Sequence, residues 1–145
     1  MHNCVLNILK TYFGDLTITR GKQHNFLGMD LTFNNDGTVK IEMKKQLEDT
    51  IKMVDERLLS NKVSSPASKK LFEVSEDATL LNEKESELFH TIVAKLIYIC
   101  KRSRPDLETV VAFLCTRVSK SDQEDLQKIA PVIIFSNLPG HFSIL

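Results

Sequence analysis

Neither sign of charge is in excess. Nineteen lysines and arginines stand against nineteen aspartates and glutamates, so no bulk field draws the chain to nucleic acid or to an acidic membrane, and any attraction must come from local patches. Long apolar runs are missing too. The longest, Leu96-Ile97-Tyr98-Ile99-Cys100 and Val132-Ile133-Ile134-Phe135, fall far short of the roughly 18 residues that a membrane span needs. Met1-His2-Asn3-Cys4 lacks a basic stretch leading into an apolar core, so no secretory signal is expected and the chain reads as intracellular. Cysteine is scarce: Cys4, Cys100 and Cys115 are odd in number and far apart, which fits neither a disulfide framework nor a paired-cysteine zinc site, and reduced thiols without a chemical role are expected. The five glycines are dispersed, so no phosphate-cradling loop exists. His2, His24, His90 and His141 are scattered without Glu or Cys at metal spacing, and no nucleophile elbow surrounds any Ser or Cys.

What remains is 145 residues, 42% of them hydrophobic, enough for one soluble domain of ordinary size. Val5, Leu6, Ile8, Leu9, Tyr12 and Phe13 fall at helical spacing and Gly14 follows where a helix would end. Leu16-Thr17-Ile18-Thr19 and a turn around Arg20-Gly21-Lys22 come next. Leu27, Met29, Leu31 and Phe33 then alternate with small or polar residues, the period of a strand. Asn34-Asn35-Asp36-Gly37 is a strong turn signal, and Val39, Ile41 and Met43 resume the alternation, giving a hairpin of two or three strands. Leu47, Ile51, Val54 and Leu58 mark one amphipathic helix over 44–59, with Glu48-Asp49 and Asp55-Glu56 on its solvated face. Residues 60–82 hold Ser64-Ser65-Pro66-Ala67-Ser68 and an irregular acidic stretch, expected to be a surface connection.

From Glu83 to Lys101 the periodicity predicts a second strong helix, with Leu88, Phe89, Ile92, Val93, Leu96 and Ile99 on a broad apolar face and terminal charges that complement the macrodipole. The chain should break at Ser103-Arg104, and Pro105 should open a third helix through Val118. Ser121 and Glu124 have the spacing of a capping box for a fourth, short helix that Pro131 should stop. Lys95, Lys101, Arg102, Arg104, Arg117 and Lys120 form a basic island, with Asp106 and Glu108 the acidic residues between 91 and 120. From Ile129 onward no residue is charged. The fold class expected is α+β, an antiparallel β-hairpin followed by three to four helices.

Two blocks carry a resemblance. Phe26-Leu27-Gly28-Met29-Asp30-Leu31, an Asn/Asp-Gly turn, Val39-Lys40-Ile41 and a helix starting near Gln46 resemble the stretch just after the palm of Ty1/copia-type retrotransposon reverse transcriptases. That family writes it F-L-G-[MI], turn, Gly, strand, Gln, helix. Phe89-His90-Thr91-Ile92-Val93-Ala94-Lys95-Leu96-Ile97-Tyr98-Ile99, then Arg104-Pro105-Asp106-Leu107, resembles the family's "Y-R-x-x-[IV]-G-x-L-x-Y-[LI] … T-R-P-D-[IL]". Order and spacing agree, with Ser65-Pro66 in the connector, and coverage runs from about residue 5 to about 128. Phe89-His90 stands for Tyr-Arg, Ala94 for Gly and Ser103 for Thr.

By that resemblance residues 1–43 are the end of a palm and a primer-grip-like hairpin, 83–130 a helical thumb or connection region, and 131–145 a divergent uncharged tail, a truncated or out-of-frame end expected to be poorly fixed. The family's polymerases hold two magnesium ions on aspartates of an early strand and a Y-[VM]-D-D turn. No Asp-Asp pair occurs in these 145 residues and Asp15 is a lone acid, so the implied chain is derived from an RNA-directed DNA polymerase, is inactive alone and carries no cofactor of its own. The implied nucleic-acid contacts are Leu27, Gly28, Met29 and Asp30 on the hairpin and Lys95, Lys101, Arg102 and Arg104 in the island, touching a primer–template without sequence preference. As single residues, these cations fit a helix C-terminus and solvated surface better, and Arg104-Pro105-Asp106 equally fits a structural role with Arg104 pairing locally and Asp106 favouring the start of the third helix. The implied partners are primer–template and the palm or RNase H portions of the polyprotein, with no membrane, in the cytoplasm or a virus-like particle. The alternative from the residues alone is a small helical interaction module with apolar faces that dock on another chain.

Overall fold

Gly14 donates its backbone N–H to Lys10 O at 2.9 Å and ends α1 (His2–Phe13), whose Val5, Ile8, Tyr12 and Phe13 are exposed. The structure, a computed structural model, describes residues 2–59, 63–67, 69–138 and 143–144. After α1 an antiparallel meander runs through β1 (Gln23–Phe26), β2 (Met29–Phe33) and β3 (Val39–Glu42). Leu16–Thr19 is not a strand, and the alternation from Leu27 to Phe33 is broken by a turn. Phe26 pairs with Met29, so the loop between β1 and β2 is Leu27-Gly28 alone. Both have positive φ, 50° and 75°, as the tight turn that matches strand twist requires. Sequence reading places Leu in a strand because left-handed backbone is rare for it.

The second turn follows its composition. Asp36 Oδ1 accepts from the Thr38 amide (2.9 Å) and hydroxyl (2.7 Å), and Gly37 takes a φ of 86°. Those bonds hold the Asp36 carboxyl below the usual aspartate range.

The helix expected over 44–59 is α2 (Lys44–Ile51), shorter by two turns. Beyond it the amides of Met53, Val54, Leu58 and Leu59 bond three residues back, and Asp55 Oδ1 accepts from the Arg57 amide. A side chain that captures its own backbone competes with the helix, and here it wins. Of the connection, 60–62 and 68 lie outside the described residues. The rest is anchored: Leu71 is buried, Leu81 N–H donates to Ser121 O, and Gln123 N–H donates to Thr79 O.

Asn82 and Glu85 cap each other reciprocally at the start of α3 (Glu83–Ser103). A turn at Pro105–Leu107 leads into α4 (Glu108–Arg117), and α5 (Gln123–Asn137) follows. The cap of α5 is Asp122 with Asp125, one residue later than the expected Ser121 and Glu124. The Ser121 hydroxyl instead meets that of Ser86, and the Asp122 and Asp125 carboxylates also take Arg117.

Pro131 does not stop α5, and the segment after it is not loose: Ile129, Val132 and Ile133 are at most 1% exposed. A helix-interior proline costs about 3 kcal/mol, whereas each fully buried Val or Ile side chain returns about 1.5–3 kcal/mol. Three such side chains outweigh one lost bond. Ser143–Ile144 forms a two-residue strand, β4, beside β3.

The core belongs to α3, α4 and α5, joined by Val54 and Leu71; no residue of β1, β2 or β3 is buried. The sheet lies against α3 through β3.

Candidate nucleic-acid interface

The β1–β2 turn projects toward α3 and α2, with one contact to each helix and one across its own strands. Tyr98 donates its hydroxyl to Leu27 O at 2.5 Å. A Cβ at Gly28 would overlap the Gln46 amide, so that side chain reaches the turn because glycine leaves room for it. Asn25 Nδ2 donates to Asp30 Oδ1 at 2.9 Å across the same hairpin. The hairpin, α2 and α3 thereby enclose a cleft of about 880 Å³, with Lys45, Gln46 and Asp49 on one wall and His90, Thr91, Ala94, Lys95 and Tyr98 on another.

Helical spacing explains the α3 wall. Residues 91, 94/95 and 98 follow each other every three to four positions, on the face next to the stripe of Ile92, Leu96 and Ile99 that enters the core. Arg102 extends the wall by one turn. Its guanidinium lies 3.7 Å from the Tyr98 ring centroid and donates to Tyr98 O at 3.4 Å. No ion pair among the described residues uses Lys45 or Lys95. Two amines and two carboxylates, Asp30 and Asp49, line the same space, so the cleft is polar and locally varied, not strongly positive.

No protein-family model, curated protein or solved structure matches the chain.

The eight residues singled out from sequence therefore divide. Gly28 and Asp30 meet Lys95 at the cleft, Leu27 and Arg102 are joined to it through Tyr98, and Met29 is half-buried beside the turn. Lys101 points to α4 and pairs with Glu108, whose carboxylate raises the lysine pKa. Arg104 turns inward. It is 7% exposed, forks onto Asp106 (2.8 and 2.9 Å) and donates to the carbonyls of Ser136 (2.5 Å), Phe135 (3.2 Å) and Leu138 (3.3 Å). That placement corrects the expectation of a phosphate-facing Arg104: it satisfies the last carbonyls of α5. Lys45, Asp49, Asn25 and the wall residue Thr91 were not singled out. Lys45 gave no signal beyond surface charge, whereas Gln46 and Tyr98 sat inside the quoted motifs.

Among the described residues no three His, Cys, Asp or Glu side chains converge as a metal site requires. Burial pushes the Cys100 and Cys115 thiols up, away from the reactive thiolate. Among the described residues no helix is long and apolar enough to cross a membrane.

Proposed function

We propose that this chain is the hairpin-and-helix portion of a copia-type retrotransposon reverse transcriptase, holding a primer–template backbone for a catalytic centre that these residues do not carry. The observation behind this reading is that the two motif blocks, 71 residues apart at Leu27 and Tyr98, meet by a direct hydrogen bond and together wall one cleft. Lys45 and Lys95 are the phosphate contacts, one from each wall, and Arg102 is a third on the same face of α3. Charge contacts of this kind carry affinity without sequence readout.

The test is fluorescence anisotropy of the full chain on an RNA–DNA duplex over a range of salt. Binding should be independent of sequence and fall steeply with salt. Changing Lys45 and Lys95 together to alanine should weaken it and flatten the log–log salt slope by about two. An unaltered slope would remove the cleft from the interface. The same preparation should extend no primer with magnesium or manganese, since no Asp-Asp pair is present to hold the metals.

A second reading, a protein-interaction module, draws on α1, where Tyr12 is 79% and Phe13 74% exposed beside Val5 and Ile8. Under it duplex binding is absent, and alanine at Tyr12 and Phe13 lowers binding to whichever protein chain docks on that face, with no palm segment required.

A further inference from the structure

We propose that Tyr98 is the positioning residue of the cleft: its hydroxyl latches the strained Leu27-Gly28 turn to α3, so that the hairpin tip is held at one distance from the cationic wall. This rests on the nucleic-acid reading above and adds to it a residue that makes no ionic contact with the duplex.

Leu27 has a φ of 50°, a left-handed backbone that strains any residue with a Cβ. Such a conformation persists only where its surroundings hold it. At this turn the surroundings are sparse. The Leu27 side chain is 61% exposed and the neighbouring Phe26 59%, so packing does not fix the turn. One hydrogen bond and one close approach do. Tyr98 Oη donates to the Leu27 carbonyl at 2.5 Å, and the Gln46 side chain lies against Gly28 in the space a Cβ would fill. Tyr98 is itself held, with Arg102 stacked 3.7 Å from its ring centroid and its backbone within α3 beside the buried Ile99. The chain of contact runs from the helical core through one phenol to the turn. Arg102 and Lys95 flank that phenol on the same helix face, so the apolar tip and the cations are registered by a single hydrogen bond.

The experiment compares full-length wild type with Tyr98→Phe and with Gln46→Ala, using hydrogen exchange read by NMR and duplex anisotropy. Tyr98→Phe keeps the ring, its stacking on Arg102 and the fold. Amides of residues 26–29 should exchange several-fold faster, with those of α4 and α5 unchanged. Duplex affinity should drop about three- to tenfold, the span of one lost hydrogen bond, with an unaltered salt slope because no phosphate contact is lost. A merely structural role would lower the melting temperature and leave the exchange pattern uniform. Unchanged exchange at 26–29 overturns the latch, and faster exchange with undiminished duplex affinity overturns its positioning role. Faster exchange in a protein whose wild type binds no duplex sinks the nucleic-acid reading and the positioning role, and leaves the mechanical latch standing. Gln46→Ala should loosen the same amides to a smaller extent, and a larger effect than that of Tyr98→Phe would transfer the latch to Gln46.

Discussion

Arg104 draws together more of the molecule than any other charged side chain of the basic island. From the end of α3 it neutralises Asp106 and donates to the carbonyls of Phe135, Ser136 and Leu138 with its aliphatic stem enclosed. Arg104→Met would leave those carbonyls and Asp106 without their cation, and a loss of about 2–5 kcal/mol in urea unfolding is expected. Arg104→Lys should recover only part of it, because an ammonium cannot reproduce a planar fork. The same pair gives an acid limb. The Arg104 guanidinium holds the Asp106 carboxyl below the usual aspartate value of about 3.9. That contribution is complete above about pH 3.9 and lost as pH falls through the lower, folded value. Asp106→Asn should therefore lower stability at pH 7 and flatten its decline between about pH 5 and 2; an equally steep decline would assign the acid sensitivity elsewhere. Since Asp106 is half exposed, solvent keeps the effect small. Sequence showed Arg104 as one cation among six, because nothing local in Arg-Pro-Asp tells that a helix end from thirty residues later closes over it.

At the scale of elements, α5 separates local preference from tertiary burial. Proline inside the pattern and the loss of charge after Lys128 argue for a stop, and by local rules they are right. The helix nonetheless continues, because Ile129, Val132 and Ile133 enter the buried cluster as α5 packs against α2 and α4. The strongly periodic α3 was legible from its residues alone, as were the Asn-Asp-Gly turn and the hairpin-then-helices order. The end of α2 and the Leu27-Gly28 turn were not, since one depends on the Asp55 side chain capturing a nearby amide and the other on a leucine with positive φ. Truncation after Lys128 tests the burial argument. Removing Ile129, Val132 and Ile133 takes away about 1.5–3 kcal/mol each, most of the net stability of a domain this size. The truncated chain should lose its cooperative thermal transition, and an unchanged melting temperature would show α5 to be dispensable. Pro131→Ala runs the other way: it restores a missing backbone donor and should raise the melting temperature by a few degrees.

The whole molecule is a buried helical core with a sheet attached to one side. Every residue of β1, β2 and β3 keeps some solvent exposure, while Phe89, Leu96, Leu107, Leu114, Ile129 and Val132 keep none. Apolar burial of about 25 cal/mol per Å² is thus concentrated in α3, α4 and α5. The meander depends on its own ladder, on β3 against α3 and on the Tyr98 bond. Elements so unequally buried do not open together. Exchange measured on the free chain should give slow amides from Ile92 to Cys100 and Val110 to Leu114, approaching the global unfolding free energy. Amides of β1 and β2 should open at a free energy several-fold lower. On adding an RNA–DNA duplex the hairpin amides should slow and those of α4 remain as they were, because the cleft joins hairpin to α3 and does not touch α4. Mass action fixes the size: at a duplex concentration a hundred times Kd the hairpin gains about 2.7 kcal/mol of protection. Protection confined to α4, or spread evenly over the chain, would place the duplex on another face and leave the cleft without its ligand.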